Sequence, residues 1–146
     1  MTARRPDPTA ARGFRNRNPG NIVFNRAIAW RGQVGAEPAG RFVVFEDHVW
    51  GIRALAVLLR NYQRKHGLST IRALIRRYAP PVENDTEAYV QAVARRTGFA
   101  PDAPLDLGRR AHLRPLVEAV IHHELGGQPY EPALIDRALD LAGVAA

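Results

Sequence analysis

Residues 113–124 constrain the fold more than any other stretch. Leu113, Leu116, Val117, Val120 and Ile121 recur at i, i+3, i+4, i+7 and i+8, the spacing of a helix that turns one face to a core. Such a helix is stable only if other apolar stripes cover it. Eleven residues at about 100° each bring Glu124 round to the same face as Leu113. A carboxylate there lies in the last helical turn, where the dipole disfavours negative charge. Apolar neighbours and the negative end of the dipole both favour the neutral carboxyl, which is the state a general acid needs. A second reading stands beside it: a helix-end glutamate turned to solvent before Gly126-Gly127, since helix ends shift by a residue or two. The two glycines leave room for a polymer to approach, and Gln128 and Tyr130 are placed to offer hydrogen bonds to sugar hydroxyls.

The rest of the chain supplies the covering stripes. Asp47 caps a long helix with Val49, Ile52, Leu55, Ala56, Leu59 and Tyr62 on one face and Gly67 as terminator. Ser69 caps a second helix, "STIRALIRRY", closed by Ala79-Pro80-Pro81. Asp85 or Thr86 starts a third that stops before Gly98, and Pro132 begins a fifth after the helix carrying Glu124. Before all of these come three short β-like runs, "NIVFN", "AIAWRGQVG" and "GRFVVFED", the first led in by the Asn18-Pro19-Gly20-Asn21 turn. They predict a small antiparallel sheet across residues 20–46. The fold class is therefore mainly α with a small antiparallel β-sheet, α+β, in one domain over residues 13–146. Residues 1–12, rich in Pro and Arg without periodicity, predict a flexible basic arm.

Composition removes several kinds of chemistry. The chain has no cysteine, so it has no disulfide, thiolate zinc site or cysteine nucleophile. It has no apolar run of about 18 residues and no signal-peptide core, so membrane insertion is not expected. Lys and Arg number 21 against 14 acids, a net charge of +7, which favours polyanionic partners. The arginines are scattered without interleaved aromatics, so stable nucleic-acid binding is not expected. His122 and His123 are adjacent, and side chains at i and i+1 diverge by about 100° on a helix, so they cannot share a metal. No metal and no cofactor are expected, and no serine nucleophile elbow or phosphate-cradling loop is present. Several residues keep two readings. Tyr78 is a core-edge aromatic or a phenol aimed into a cleft. Trp30 is a core residue or a platform for a sugar ring. Around Tyr78, "RRYAPPVENDTEAY" holds Glu83, Asn84 and Tyr89, much of it helix-start chemistry.

With these pieces placed, the chain resembles a family of bacteriophage and prophage lytic proteins related to the cystovirus virion lysin. The resemblance runs over about residues 13–142 and is carried by "GFRNRNPGNI", Trp30-x-Gly32, "FVVFEDHVWGIRALAVLL", "YAPPVENDTEAYV" and "VIHHELGGQPY". It implies a lysozyme-like domain that cleaves the MurNAc–GlcNAc bond of peptidoglycan, as a lytic transglycosylase or a muramidase. Related glucosaminidases and lytic transglycosylases begin with a helix ending Glu-Ser-Gly, and the former continue through an Asn-x-x-Gly-Ile turn and a Trp-x-Gly hairpin. Here the turn comes first and the helix ending "HHELGG" comes late, which implies a circularly permuted order with Glu124 as the acid. Leu125 departs from the pattern, standing where the family has Ser or Asn. Tyr78 resembles a tyrosine that lines the cleft beside the acid.

The residues expected on the substrate side are Asn21, Trp30, Glu46, Asn84, Gln128 and Tyr130, with Glu46, at the sheet edge, the candidate second carboxylate. Glycan strands of peptidoglycan are the expected partner, and the protein is expected to act as a monomer. Its expected place is a phage virion, or the host cytoplasm before release, with action in the periplasm or wall and no signal peptide of its own. A non-catalytic phage structural protein that binds glycan is the alternative, followed by a wall-peptide endopeptidase.

Overall fold

The structure, a computed structural model, describes residues 6–38, 40–81 and 84–146. A short 3-10 turn, Pro8–Ala10, leads into α1 (Arg12–Arg15). Strands β1 (Gln33–Ala36) and β2 (Val43–Phe45) follow, and then five helices: α2 (His48–His66), α3 (Ile71–Tyr78), α4 (Thr86–Thr97), α5 (Arg110–Leu125) and α6 (Pro132–Leu141). The protein is mainly helical with one two-stranded antiparallel sheet.

Helices α2, α3 and α4 each begin at a side-chain cap. Asp47 accepts a hydrogen bond from the His48 N–H, Thr70 from Ala73 and Asp85 from Ala88, satisfying amides that no helical carbonyl can reach. Thr70, not Ser69, caps α3, because the Ser69 carbonyl is taken by the Leu105 N–H at 2.7 Å. Gly126 closes α5 in the left-handed conformation, at φ 75°, which a glycine adopts without a side-chain clash. The stripe of α5 is fully buried: Leu113, Leu116, Val117, Val120 and Ile121 are all at 0% exposure. It packs on α4, α2 and α6, while α2 also lies along α6. One continuous core joins all five helices.

A second, smaller cluster of Ile22, Val43, Phe45 and Ala54 sits under the sheet, and Trp50 packs against both clusters. The sheet is smaller than the three β-like runs predict. Gln33 pairs with Phe45 and Ala36 with Val43, but "NIVFN" contributes only an isolated bridge, Val23 to Phe42. The reason lies in the turn before it. The Asn18 side chain, fully buried, accepts from the Ile22 N–H at 3.0 Å and donates to the carbonyls of Ile22 and Val43. The segment still bonds the neighbouring strand through Val43 N–H to the Ile22 carbonyl and Phe24 N–H to the Arg41 carbonyl, but its Ile22 N–H goes to the Asn18 side chain. The middle run is likewise turned back on itself by Trp30 and Gln33, whose backbones bond at 3.1 Å, so its strand begins only at Gln33.

The arm expected over residues 1–12 is, from residue 6 onward, a capped turn rather than free chain. Asp7 caps it, and Pro6 and Pro8 lie against Gly126 and Gly127; residues 1–5 lie outside the described residues. Among the described residues no helix is long and apolar enough to cross a membrane.

Candidate active site

Three elements distant in sequence converge on Glu124: the turn after α1, the end of α3 and the start of α4. The turn is held by Asn18, and its tip carries Asn21 at φ 50°, a left-handed conformation that asparagine tolerates better than most residues. That geometry lets Asn21 Nδ2 donate to Glu124 Oε1 at 2.9 Å, across 103 residues of sequence. Glu124 itself is half-buried. Leu125, the next residue, points the other way and is 3% exposed, with Cδ2 2.9 Å from where a side chain on Gly13 would begin. The hydrogen bond that a Ser or Asn would supply after the acid comes instead from Asn21, and Leu125 belongs to the core.

Two tyrosines flank the carboxylate. Tyr78 lines the cleft with its ring, but its enclosed hydroxyl donates to the Gly20 carbonyl. It thus clamps the turn that positions Asn21, and it is not a phenol free to face a ligand. Tyr89 is buried, sits edge-on to Tyr78 at 6.5 Å between rings, and stacks on His123 at 3.7 Å. Burial, and after it the Glu124 charge, push both phenols well above their usual range. The Tyr89 hydroxyl lies close enough to Glu124 for hydrogen bonding to add to that shift, although it meets no strict hydrogen-bond geometry with any described residue. Asn21 Oδ1 is a second buried oxygen beside the carboxylate without a partner among the described residues. Buried polar atoms are normally satisfied, so two such atoms around one carboxylate set this corner apart from an ordinary core.

Glu124 opens into a cleft of about 340 Å³ between the sheet end and the helices. Of the residues expected at the substrate side, Asn21, Trp30, Tyr78 and Asn84 line it together with Glu124. Three others do not. Glu46 is exposed outside the cleft, with its backbone N–H bonded to Gly32 at the sheet edge. Tyr130 is buried against Phe14 and bonded to His48 Nδ1 at 2.9 Å. Gln128 accepts from the Tyr130 backbone N–H and faces a separate depression beside Arg96 and His122. Gln128 and Tyr130 were read as near Glu124 because they are near it in sequence, and the turn at Gly126-Gly127 carries the chain away; Glu46 was read as a partner from its place at the sheet edge, where it is exposed outside the cleft. Tyr62, Ile28, Asn25 and Arg41 line the cleft without having been foreseen. Tyr62 carried a signal, as a phenol in a stripe where leucine would serve. Among the described residues Glu124 is the one acid lining the cleft; Glu83 lies outside them. No group of three or more His, Asp or Glu among the described residues could hold a metal ion.

No family model matches the chain. It is similar to "Protein P5" of Pseudoalteromonas phage PM2, being 39% identical over 123 residues that cover 83% of this chain and 75% of that protein. The matched share exceeds the length of any one element and spans most of both chains, so the likeness is one of whole folds rather than of a motif. The protein belongs to the family of this phage Protein P5.

Proposed function

We propose that the protein is a lysozyme-like, circularly permuted enzyme that cleaves the MurNAc–GlcNAc bond of peptidoglycan, with Glu124 as its general acid. One observation carries this reading: a single described carboxylate at the end of an aromatic-lined cleft, one oxygen fixed by Asn21. A phage relative agrees with a lytic role without specifying it. Because Oε1 accepts the Asn21 amide, a proton carried by Glu124 resides on Oε2. That oxygen protonates the glycosidic oxygen as the C1–O bond breaks and oxocarbenium character develops. Trp30 and Tyr62 give the sugar rings apolar faces to lie on.

With Glu46 outside the cleft, no described second carboxylate stands ready as nucleophile or base. The single-acid route then follows. The substrate's C6 hydroxyl attacks C1, and Glu124, now ionised, takes the hydroxyl proton to give an anhydro sugar. Digestion of purified sacculi with wild type and Glu124→Gln, read by mass spectrometry, tests this. Anhydro-muropeptides are expected from the wild type, with release lowered about 10²- to 10⁴-fold in the variant, the usual contribution of a general acid. Reducing ends would indicate a hydrolase and new amino groups a peptidase. Undiminished release by Glu124→Gln would remove Glu124 from the chemistry.

A further inference from the structure

The cleft does not stop at Trp30. A second groove of about 410 Å³ shares Ile28, Trp30, Leu58 and Tyr62 with it and continues on the far side of that wall from Glu124. Its character is different. Arg31, Arg53, Lys65 and His66 line it, and no Asp or Glu does. None of these four makes a salt bridge with a described acid, although other arginines, such as Arg12, Arg72, Arg110 and Arg114, all do. The guanidinium of Arg31 is held over the Trp50 ring at 5.0 Å, and Arg53 Nε donates to the Leu141 carbonyl at 3.2 Å. Burial raises the cost of charging Arg53, and the nearby Arg31 charge adds to it. Like charges placed together, oriented by an aromatic and a carbonyl and with no salt bridge to a described acid, are an arrangement an anion relieves.

The geometry points to an anion subsite: Arg31, Arg53 and Lys65 receive a carboxylate borne on a side branch of the polymer whose backbone occupies the Glu124 cleft. The inference rests on the glycan reading above and deepens it. The substrate class becomes a glycan with acidic peptide substituents, rather than any β-linked amino-sugar chain. Continuity of the two grooves supplies the register. A sugar against Trp30 has the acid on one side and the cationic groove on the other. The groove narrows specificity without touching the bond that breaks.

Binding tests the subsite apart from cleavage. Glu124→Gln protein, and the same protein carrying Arg31→Gln and Lys65→Gln, both exposed positions, are titrated with three probes. These are glycan strands bearing peptide stems, the same strands after an amidase has removed the stems and the lactyl carboxyls it frees have been capped as neutral amides, and a mixed-sequence single-stranded oligonucleotide. Stem-bearing strands are expected to bind more tightly than stripped ones. The added substitutions should weaken stem-bearing strands by roughly 5- to 10-fold, as for two partly exposed ion pairs. They should move stripped strands less than about twofold, and high salt should close the gap. Equal affinity for both strands, or an equal loss on both, overturns the subsite while leaving the Glu124 reading intact. An oligonucleotide that binds more tightly than either strand, through the same cations, overturns it in favour of nucleic acid. Failure of both strands to bind even the protein with its cations intact overturns the subsite and the glycan reading together.

Discussion

Asn21 carries two requirements at once. Its backbone must adopt φ 50°, and its amide must reach Glu124 at 2.9 Å. Asn21→Gly separates them, because glycine accepts the backbone conformation and lacks the amide. Release of muropeptides should fall about 10- to 100-fold, the scale of a misoriented catalytic group. Unfolding free energy should change by no more than about 1 kcal/mol, since relief of the left-handed strain offsets the lost hydrogen bond. Chemical denaturation beside product assay separates the outcomes, and a stable variant with full release would exclude Asn21 from positioning the acid. Glu124 was visible in the sequence as a charge on an apolar stripe. Asn21 was visible as a turn residue and a substrate-side candidate, but not as the partner of Glu124, which lies 103 residues away. Leu125, in place of Ser or Asn, looked like a lost hydrogen bond; it fills the corner against Gly13 while Asn21 serves the carboxylate.

At the scale of elements, α2 is the beam on which the turn rests. Gly51 lies inside it, and a Cβ there would stand 1.9 Å from the Arg17 carbonyl oxygen. An alanine in an open helix position would stabilise by up to about 1 kcal/mol over glycine. Here the sign should reverse, and Gly51→Ala should cost about 1–3 kcal/mol in urea unfolding because backbone, not a flexible side chain, is what it meets. A gain in stability would mean that helix and turn do not approach this closely. The helices were legible because their stripes, caps and glycine stops are all local. The sheet was less so: "NIVFN" has the composition of a strand, but the buried Asn18 side chain takes the Ile22 N–H and shares its carbonyl, leaving the segment one isolated bridge to its neighbour. Composition reports what a segment can pair with, not which partner arrives first.

The whole molecule is held shut at its N-terminal end by Arg12 and Glu37, an ion pair between α1 and the residue following β1. Hydrogen bonds from Arg12 foremost, opposed by burial and helped by Asn16, hold the Glu37 carboxyl down from the usual 4.5 to about 2. A depressed carboxylate stabilises the fold fully above its unfolded value and loses that contribution as the pH falls from about 4.5 towards 2. Glu37→Gln should therefore be less stable than wild type at neutral pH and flatter across that acid window. Unfolding midpoints at several pH values check this, and parallel curves would show that the pair does not couple folding to pH. Sequence alone determined the helices, the α+β class, the chemistry that a cysteine-free chain forgoes, and the unusual placement of Glu124. Each of these depends on neighbours within about a turn or two, or on composition. Tertiary structure decided the rest: Asn21 as the partner of the acid, Tyr78 as a clamp, the departure of Glu46, Gln128 and Tyr130 from the cleft, and the cationic groove beyond Trp30. Those follow from which surfaces the core brings face to face, a matter of packing between stripes that no single stripe records.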